Sequence, residues 1–176
     1  MKKIIAFAGS NSNTSINKQL ATYASSLVKN VSVDILDLNN FELPVYDIDL
    51  ENKNGIPNNA KTFLEHIKSS SGIIVSLAEH NGAYATVFKN LFDWMSRIES
   101  KTFLGKPMLL MATSPGARGG ASVLSIATDR FPRHDANIVG VFSLPSFGDN
   151  FSEGKITNAE LNADLEDKIK TFTEAL

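Results

Sequence analysis

Three short runs of small and polar residues each follow an apolar stretch of the sequence. They are Gly-Ser-Asn-Ser-Asn-Thr-Ser-Ile-Asn at 9–17, Ala-Glu-His-Asn-Gly-Ala-Tyr at 78–84 and Thr-Ser-Pro-Gly-Ala-Arg-Gly-Gly at 113–120. Hydroxyls, side-chain amides and free backbone N–H groups at the start of a helix bind phosphate and other anions. Turns that follow parallel strands lie together at the carboxyl edge of their sheet. The three runs therefore predict one ligand site that includes an anion-binding turn.

Residue patterns typical of several other chemistries are absent. The sequence has no Gly-x-Ser-x-Gly elbow of a serine hydrolase, no P-loop and no Gly-x-Gly-x-x-Gly after the first apolar run. It has no cysteine, which excludes disulfides, thiolate nucleophiles and cysteine-ligated metals. Serine, threonine and asparagine also serve as ordinary helix caps, so the run at 9–17 by itself leaves a purely structural role open.

The histidine and acidic residues differ in how well their positions suit a functional role. The three histidines do not have the spacing of a metal site. We predict surface or capping roles for His66 and His134, and local hydrogen bonds or an interface contact for Asp93. Glu79 and His80 are better candidates for function, because they follow an apolar run that ends at the carboxyl edge of the predicted sheet.

Apolar runs alternate with segments of helical period, the pattern of a parallel sheet covered on both faces. The predicted strands are 3–8, 31–38, 72–77, 107–112 and 137–142, and the predicted helices are about 14–28, 57–68, 85–98, 121–130 and 159–172. Alternation within 31–38 indicates a half-exposed edge strand. We predict a single α/β domain over 1–176, a three-layer sandwich with a five-stranded parallel sheet in the flavodoxin-like order 2-1-3-4-5.

Composition limits the partners and the location. The chain has 176 residues, 43% of them hydrophobic and 20% charged, and a net charge of −2. Such a balance gives no reason to expect a nucleic acid partner. No apolar run approaches the roughly 18 residues of a membrane helix, and the apolar start is too short for a signal peptide. We expect a cytoplasmic protein without a membrane partner.

Two segments of the sequence suggest contacts outside the core between the helices and the sheet. The stretch 39–57 is long and reads as irregular, which indicates a functional loop, an interface or a simple covering flap. The helix at 85–98 has a wider apolar arc than a half-buried helix needs. We predict a homodimer or homotetramer in which Trp94, Phe92 and Met95 are candidate contacts. The alternative is that the long loop or the C-terminal segment covers this surplus within one chain.

Motifs in the three polar runs and in the helix after the second of them support a family resemblance. They are Gly9-Ser10, Ser15-x-Asn17, Glu79-His80-Asn81-Gly82 with Lys89-Asn90 and Asp93-Trp94, and Ser114-Pro115-Gly116 with Gly119-Gly120. In this order they resemble the NADPH-dependent FMN reductase family, which includes quinone, azo-dye and chromate reductases. The central motif of that family is usually Pro-Glu-Tyr-Asn-Gly-Ser. This sequence departs from the family with Ala78 in place of proline, His80 in place of tyrosine, and Ser12 where many relatives have arginine.

The resemblance implies an FMN site with contributions from all three runs. Its residues would be Ser10, Ser12, Ser15, Ile16 and Asn17 in the first run, Ala78, Glu79, His80, Asn81 and Gly82 in the second, and Ser114, Pro115 and Gly116 in the third. Ser10, Ser15 and Asn17 would bind the FMN phosphate, and the other two runs would border the flavin ring.

The resemblance also implies the reaction. NADPH or NADH would reduce FMN, which would pass electrons to a small-molecule acceptor such as a quinone, an azo compound or a flavin by a ping-pong mechanism, with no protein acid or base. A flavodoxin-like electron carrier and a non-enzymatic binding or regulatory module with weak or no FMN remain alternatives.

Overall fold

Five parallel strands form the centre of the computed structural model, which describes all residues from Met1 to Leu176. They are β1 (Lys2–Gly9), β2 (Val31–Leu36), β3 (Gly72–Leu77), β4 (Pro107–Thr113) and β5 (Asn137–Leu144). β1 pairs with β2 and β3, β3 pairs with β4, and β4 pairs with β5. The sheet order is therefore 2-1-3-4-5, and the predicted fold is confirmed.

Helices cover both faces of the sheet. They are α1 (Ile16–Ser26), α2 (Ile48–Asn54), α3 (Asn58–Ser69), α4 (Thr86–Ile98), α5 (Ala121–Arg130), α6 (Phe147–Asn150) and α7 (Ala159–Ala175). α1 and α7 pack on one face, and α3, α4 and α5 pack on the other. Every predicted helix and strand is present, with each end within three residues of its predicted position.

Alternate residues of the central strands divide between two apolar layers. Ile5 and Phe7 of β1 pack towards α3, α4 and α5, whereas Ile4 and Ala6 pack towards α1 and α7. All four are essentially inaccessible to solvent. A strand that is buried on both faces has to be apolar at consecutive positions. This two-sided burial fixes β1 and β3 in the middle of the sheet, so that the turns after them meet at its carboxyl edge.

The strand β2 lies at one edge of the sheet, as predicted. Val33 and Ile35 keep 38% and 42% of their surface exposed, because α1 covers only part of this strand. On the opposite side of β2, Asp34 accepts ion pairs from Lys3 and His66, each at 3.1 Å. Burial favours a higher pKa for Asp34, but Lys3 and His66 outweigh it and hold the pKa below its usual value.

The stretch 39–57 is less irregular than predicted, because it contains α2. Asp47 caps this helix by accepting from the Asp49 N–H at 3.1 Å, and Gly55 ends it with a positive φ of 73°. These capping signals are visible in the sequence, but the segment between them is only seven residues long. Such a short helix has too few turns to show a helical period.

Residues 41–47, here called the strap, cross the outer face of α4. Trp94 is fully buried, its indole N–H donates to the Pro44 carbonyl at 2.8 Å, and its ring meets Tyr46 edge to face at 5.0 Å. Phe92 and Met95 are also buried within the chain. The prediction that these three side chains contact a second subunit is therefore wrong. The strap covers Trp94, and Phe92 packs against Phe103 and Phe131.

The last part of the chain contains elements that the sequence did not predict. The short helix α6 leads into a hairpin of Phe151–Ser152 and Lys155–Ile156 that packs beside α7. Two-residue strands and a one-turn helix are too short to leave a periodic pattern. None of the helices has the length and apolar character needed to cross a bilayer.

Candidate functional site

A cleft of about 370 Å³ opens at the carboxyl edge of the sheet. It lies between the β1 turn (residues 10–15), the β3 turn (78–85) and the β4 turn (114–120). Its lining residues are Ser10, Ser12, Thr14, Ser15, Ile16, Asn17, Ala78, Glu79, His80, Thr113, Ser114 and Pro115. All residues predicted for the site belong to this lining except Asn81, Gly82 and Gly116, which lie in the same turns.

Two further lining residues, Thr14 and Thr113, belong to the predicted polar runs at 9–17 and 113–120 but are not among the individual residues that the resemblance implies. Thr14 belongs to the same run of hydroxyl residues as Ser12 and Ser15, so that composition could have identified it. Thr113 is the last residue of β4 and is 1% exposed. The run at 113–120 includes Thr113, but its burial at the end of β4 does not follow from the sequence.

The β1 turn leads into the start of α1, where backbone donors are free. The Ser15 hydroxyl caps the helix by accepting from the Lys18 N–H at 3.1 Å. The N–H groups of Ile16 and Asn17 donate to no protein acceptor. Together with the Ser10 hydroxyl and the positive end of the helix, they form an environment that favours an anion.

Positive side chains do not contribute to this anion environment. No lysine or arginine lines the cleft. Lys18, the nearest in sequence to the turn, forms an ion pair with Asp37. Ser12, which stands where many relatives have arginine, adds a hydroxyl and no charge. Binding of an anion here would therefore depend on hydrogen bonds and on the helix dipole.

Asn17 occupies the floor of the cleft and is 3% exposed. Its carboxamide oxygen accepts from the Thr113 N–H at 3.0 Å and from the Ser76 hydroxyl at 2.7 Å. Its NH₂ group donates to the Thr113 carbonyl at 3.2 Å. Ser76 and Thr113 are themselves buried. The side chain of Asn17 thus faces the ends of β3 and β4, while its backbone N–H remains free.

The β3 turn is a tight hairpin in which Glu79 pairs with Tyr84 and His80 pairs with Ala83. Asn81 and Gly82 at its tip have positive φ values of 51° and 77°. Positive φ at both central residues is the requirement of a type I′ turn, which Asn-Gly satisfies best. The hairpin holds His80 exposed at the mouth of the cleft.

The Glu79 carboxylate links the β3 turn to helix α5. It accepts from the Val123 N–H in the first turn of that helix at 2.9 Å. Gly120 precedes α5 and provides no side-chain cap of its own. Glu79 therefore acts as the missing cap, and its carboxylate is already engaged by the protein.

Tyr84 points away from the cleft and into the apolar layer between α4 and α5. Its ring stacks on Phe131 at 6.0 Å and lies 5.5 Å from Phe88. Its buried hydroxyl has no hydrogen-bond partner, and burial raises the pKa of Tyr84 to about 12. Tyr84 is thus not positioned to replace the tyrosine that relatives have at the position of His80.

The β4 turn forms the other wall of the cleft with small side chains. The Ser114 hydroxyl donates to the Gly116 carbonyl at 3.1 Å. A Cβ added at Gly116 would meet no atom within 4 Å, whereas one at Gly119 would lie 2.3 Å from the Ser143 hydroxyl. Arg118 donates to the Ser122 hydroxyl at 3.2 Å. The turn is therefore packed at its base and open beside Gly116.

The remaining candidate residues lie outside the cleft. His66 is paired with Asp34, and the His134 ring nitrogen Nδ1 lies 2.9 Å from the Ser100 carbonyl oxygen. Asp93 pairs with Lys89 one helical turn earlier, which confirms the prediction of local contacts. No group of three or more histidine or acidic residues could hold a metal ion.

The comparison with protein families decides the classification of the chain. The model of the NADPH-dependent FMN reductase family matches residues 2–148, which include all three turns. The chain belongs to this family. That assignment confirms the resemblance seen in the sequence motifs.

Individual relatives agree with the family assignment. The chain is 32% identical to the quinone reductase of Escherichia coli over 80 residues, which are 46% of this chain and 43% of that protein. It is 30% identical to an NAD(P)H-dependent FMN reductase of Pseudomonas aeruginosa over 120 residues, 68% of this chain and 63% of the relative. The matched part of the chain thus spans less than half the length of the E. coli quinone reductase.

Solved structures share the fold. The flavoenzyme NAD(P)H:(acceptor) oxidoreductase FerB from Paracoccus denitrificans superimposes with a TM-score of 0.78. The superposition covers 99% of this chain and 96% of FerB, at 21% sequence identity. At this identity the likeness shows the fold alone.

Proposed function

We propose that this protein is an NAD(P)H-dependent FMN-containing reductase that passes electrons from a nicotinamide to a small-molecule acceptor. The main support for this proposal is the cleft at the start of α1. There, the free N–H groups of Ile16 and Asn17 and the hydroxyls of the β1 turn face the β3 and β4 turns of the family motif. An anion site beside an open wall of small residues suits a phosphate joined to a planar ring.

The chemistry of the donors in the β1 turn fits the phosphate of FMN. The hydroxyls of Ser10, Ser12 and Ser15, together with the free N–H groups, would donate to its oxygens. The open space beside Gly116 would leave room for the edge of the ring. The other ring neighbours would be Ala78, Glu79, His80, Asn81, Gly82, Ser114 and Pro115. Glu79 would contribute through its backbone, because its carboxylate is engaged by Val123.

When bound, FMN would supply the hydride and electron transfer between the nicotinamide and the acceptor. The residues of the chain have to bind and orient FMN and leave its ring accessible to the nicotinamide and the acceptor. The carboxylate of Glu79 already caps α5, and His80 is exposed at the mouth. We therefore assign no catalytic acid or base. Because donor and acceptor would enter through the same opening in turn, we infer a ping-pong sequence.

The proposal is tested with the purified protein and its absorption spectrum. We expect a yellow protein that releases FMN on denaturation and is bleached by NADH or NADPH. Initial rates with a quinone, an azo dye and free flavin as acceptors should give parallel double-reciprocal lines. A colourless protein that does not bind added FMN would overturn the proposal and favour the binding-module alternative. The absence of a positive side chain from the cleft would then explain why FMN does not bind.

The same measurements separate an enzyme from an electron carrier. A carrier of the flavodoxin type would be yellow but would consume NADH and NADPH very slowly. Rapid consumption that depends on a small-molecule acceptor supports the reductase. The ratio of kcat/KM for NADPH and NADH then defines which nicotinamide the protein uses.

We further propose a cytoplasmic homodimer or homotetramer with a small-molecule acceptor and without a nucleic acid or membrane partner. The buried position of Trp94 removes one argument for assembly. Val45 of the strap, which is 74% exposed, and Ile48 of α2, which is 48% exposed, are apolar side chains that an assembly could cover. Sedimentation equilibrium on the native protein gives the number of subunits directly.

A further inference from the structure

The buried hydrogen bonds of Asn17 connect all three turns of the cleft. Asn17 follows the β1 turn by two residues, Ser76 precedes the β3 turn by two, and Thr113 directly precedes the β4 turn. The carboxamide bonds to both backbone polar groups of Thr113 and to the Ser76 hydroxyl. Thr113 in turn donates through its own hydroxyl to the Leu144 carbonyl of β5 at 2.7 Å. A single side chain thus joins the entry of α1 to the ends of β3 and β4.

The geometry leaves this carboxamide little capacity for a ligand. An asparagine side chain has two acceptor positions and two donor positions, and three of these four are used by Thr113 and Ser76. The residue is only 3% exposed. In a buried network every partner depends on the others, because an unpaired polar group there is costly.

We propose that Asn17 is a positioning residue, whose side chain holds the ends of β3 and β4, and with them the two turns that would border the flavin ring, in place beside the start of α1. This inference rests on the proposed function, since it assigns FMN to the cleft. The resemblance places Asn17 at the FMN phosphate, and its side chain is engaged elsewhere. The backbone N–H of Asn17 keeps that role.

A comparison of FMN with riboflavin distinguishes positioning from direct phosphate binding. Riboflavin has the same ring and lacks the phosphate. If Asn17 positions the turns, Asn17→Ala displaces the ring contacts and weakens both ligands by a similar factor, about tenfold for the loss of several buried hydrogen bonds. If the side chain bound phosphate, FMN alone would lose affinity. Quenching of flavin fluorescence on binding measures both dissociation constants without any turnover.

A second variant keeps the test decisive if Asn17→Ala does not fold. Ser76→Ala removes only one hydrogen bond, and Ser76 is fully buried on β3, where it touches the cleft only through Asn17. We expect a smaller, parallel loss for both ligands, with a shift in the absorption spectrum of the bound flavin as the ring contacts change. The matched control is Ser25→Ala, which removes a buried hydroxyl that donates to the Thr22 carbonyl on the same helix. It should lower stability without changing either dissociation constant.

The outcomes separate this inference from the proposed function. A wild-type protein that binds neither FMN nor riboflavin overturns the proposed function and the positioning role with it. Binding by the wild-type protein with a selective loss of FMN affinity in Asn17→Ala shows that the side chain contacts the phosphate, and overturns the positioning role alone. Unchanged affinities and spectra in Ser76→Ala also contradict it. Equal losses for both ligands in the two variants, and none in Ser25→Ala, support it.

Discussion

The indole N–H of Trp94 donates to the carbonyl oxygen of Pro44 at 2.8 Å and fixes the strap across α4. Asn90 reinforces this contact, because its side chain donates to the same carbonyl at 3.0 Å and accepts from the Tyr46 N–H at 2.8 Å. The apolar surplus of α4 is thus covered by the chain's own loop. In this chain, Asn90 and Trp94 of α4 thus hold the strap in place.

Substitution of Trp94 by phenylalanine tests this role. The variant loses the hydrogen bond and part of the buried ring, and we expect the free energy of unfolding to fall by about 1–3 kcal/mol. Urea unfolding measures the loss. Tyr46→Phe is the control, since it removes one partly buried hydrogen bond to Glu51, keeps the ring against Trp94, and should lower stability by less than about 1 kcal/mol. A Trp94→Phe protein of wild-type stability but altered subunit number would instead restore Trp94 as an interface residue.

A second prediction concerns the cap that Glu79 provides for α5. Glu79→Ala leaves the Val123 N–H without its acceptor, and we expect a loss of about 1 kcal/mol in the free energy of unfolding. Glu79→Gln retains a carbonyl oxygen at the same place and should lose less than half of that. Paired urea titrations of the two variants check the difference. Equal losses would mean that the charge of Glu79, and not its hydrogen bond, stabilises the helix.

The predicted helices are longer than the helices that were not predicted, and the predicted strands are longer than the strands that were not predicted. The two groups of elements also differ in the sequence range of their contacts. β3 is a continuous, largely apolar run of six residues and α4 carries a helical period over thirteen, and their positions follow from these patterns. Such a pattern does not predict which segment covers the apolar face, because that segment lies far away in the sequence. The arc of α4 is the same whether the strap or a second subunit covers it, and only the position of Pro44 distinguishes the two.

In the candidate site, the sequence predicted which residues lie near the cleft but not the directions of their side chains. The order of the motifs predicted which turns would meet, because parallel strands bring them to one edge. The direction of Asn17 could not be predicted, since its three hydrogen bonds go to residues 59 and 96 positions away. The inward orientation of Tyr84 likewise depends on Phe131, which follows it by almost fifty residues.

A third prediction follows from the buried hydroxyl of Tyr84. Because burial raises its pKa to about 12 from 10.0, Tyr84 stays neutral in the folded protein at a pH where the unfolded chain ionises. Its contribution to stability is complete below pH 10.0 and is lost as the pH rises towards 12. We expect the difference in unfolding free energy between the wild type and Tyr84→Phe to change in this window, with the variant gaining relative stability.

Below that window, Tyr84→Phe should be as stable as the wild type or slightly more stable. The substitution removes a buried hydroxyl without a partner, so no hydrogen bond is lost. Urea midpoints at several pH values between 8 and about 11.5 provide the measurement. The wild type serves as the reference at each pH, because both proteins share all other titrating groups. A variant that is clearly less stable at pH 8 would reveal a hydrogen bond to the Tyr84 hydroxyl, for instance through water.

The fourth prediction concerns His80, which stands at the mouth of the cleft where relatives have tyrosine. Replacing it with tyrosine adds a larger ring at an exposed position of the β3 hairpin. We expect kcat/KM for different acceptors to change by unequal factors, about threefold to tenfold for the most affected. The dissociation constant of FMN should change by less than about twofold, because the anion-binding β1 turn is untouched.

His134→Tyr is the matched control for this substitution. His134 is only partly exposed and lies beside Phe92 outside the cleft, so the same change there should leave the acceptor profile as in the wild type. Steady-state rates with a quinone and an azo dye, measured at saturating nicotinamide, compare the two variants. If His80→Tyr releases FMN while the relative rates for the acceptors stay constant, His80 supports the cofactor and does not select the acceptor. A constant profile together with retained FMN would place the acceptor on the side of the β4 turn, beside Gly116.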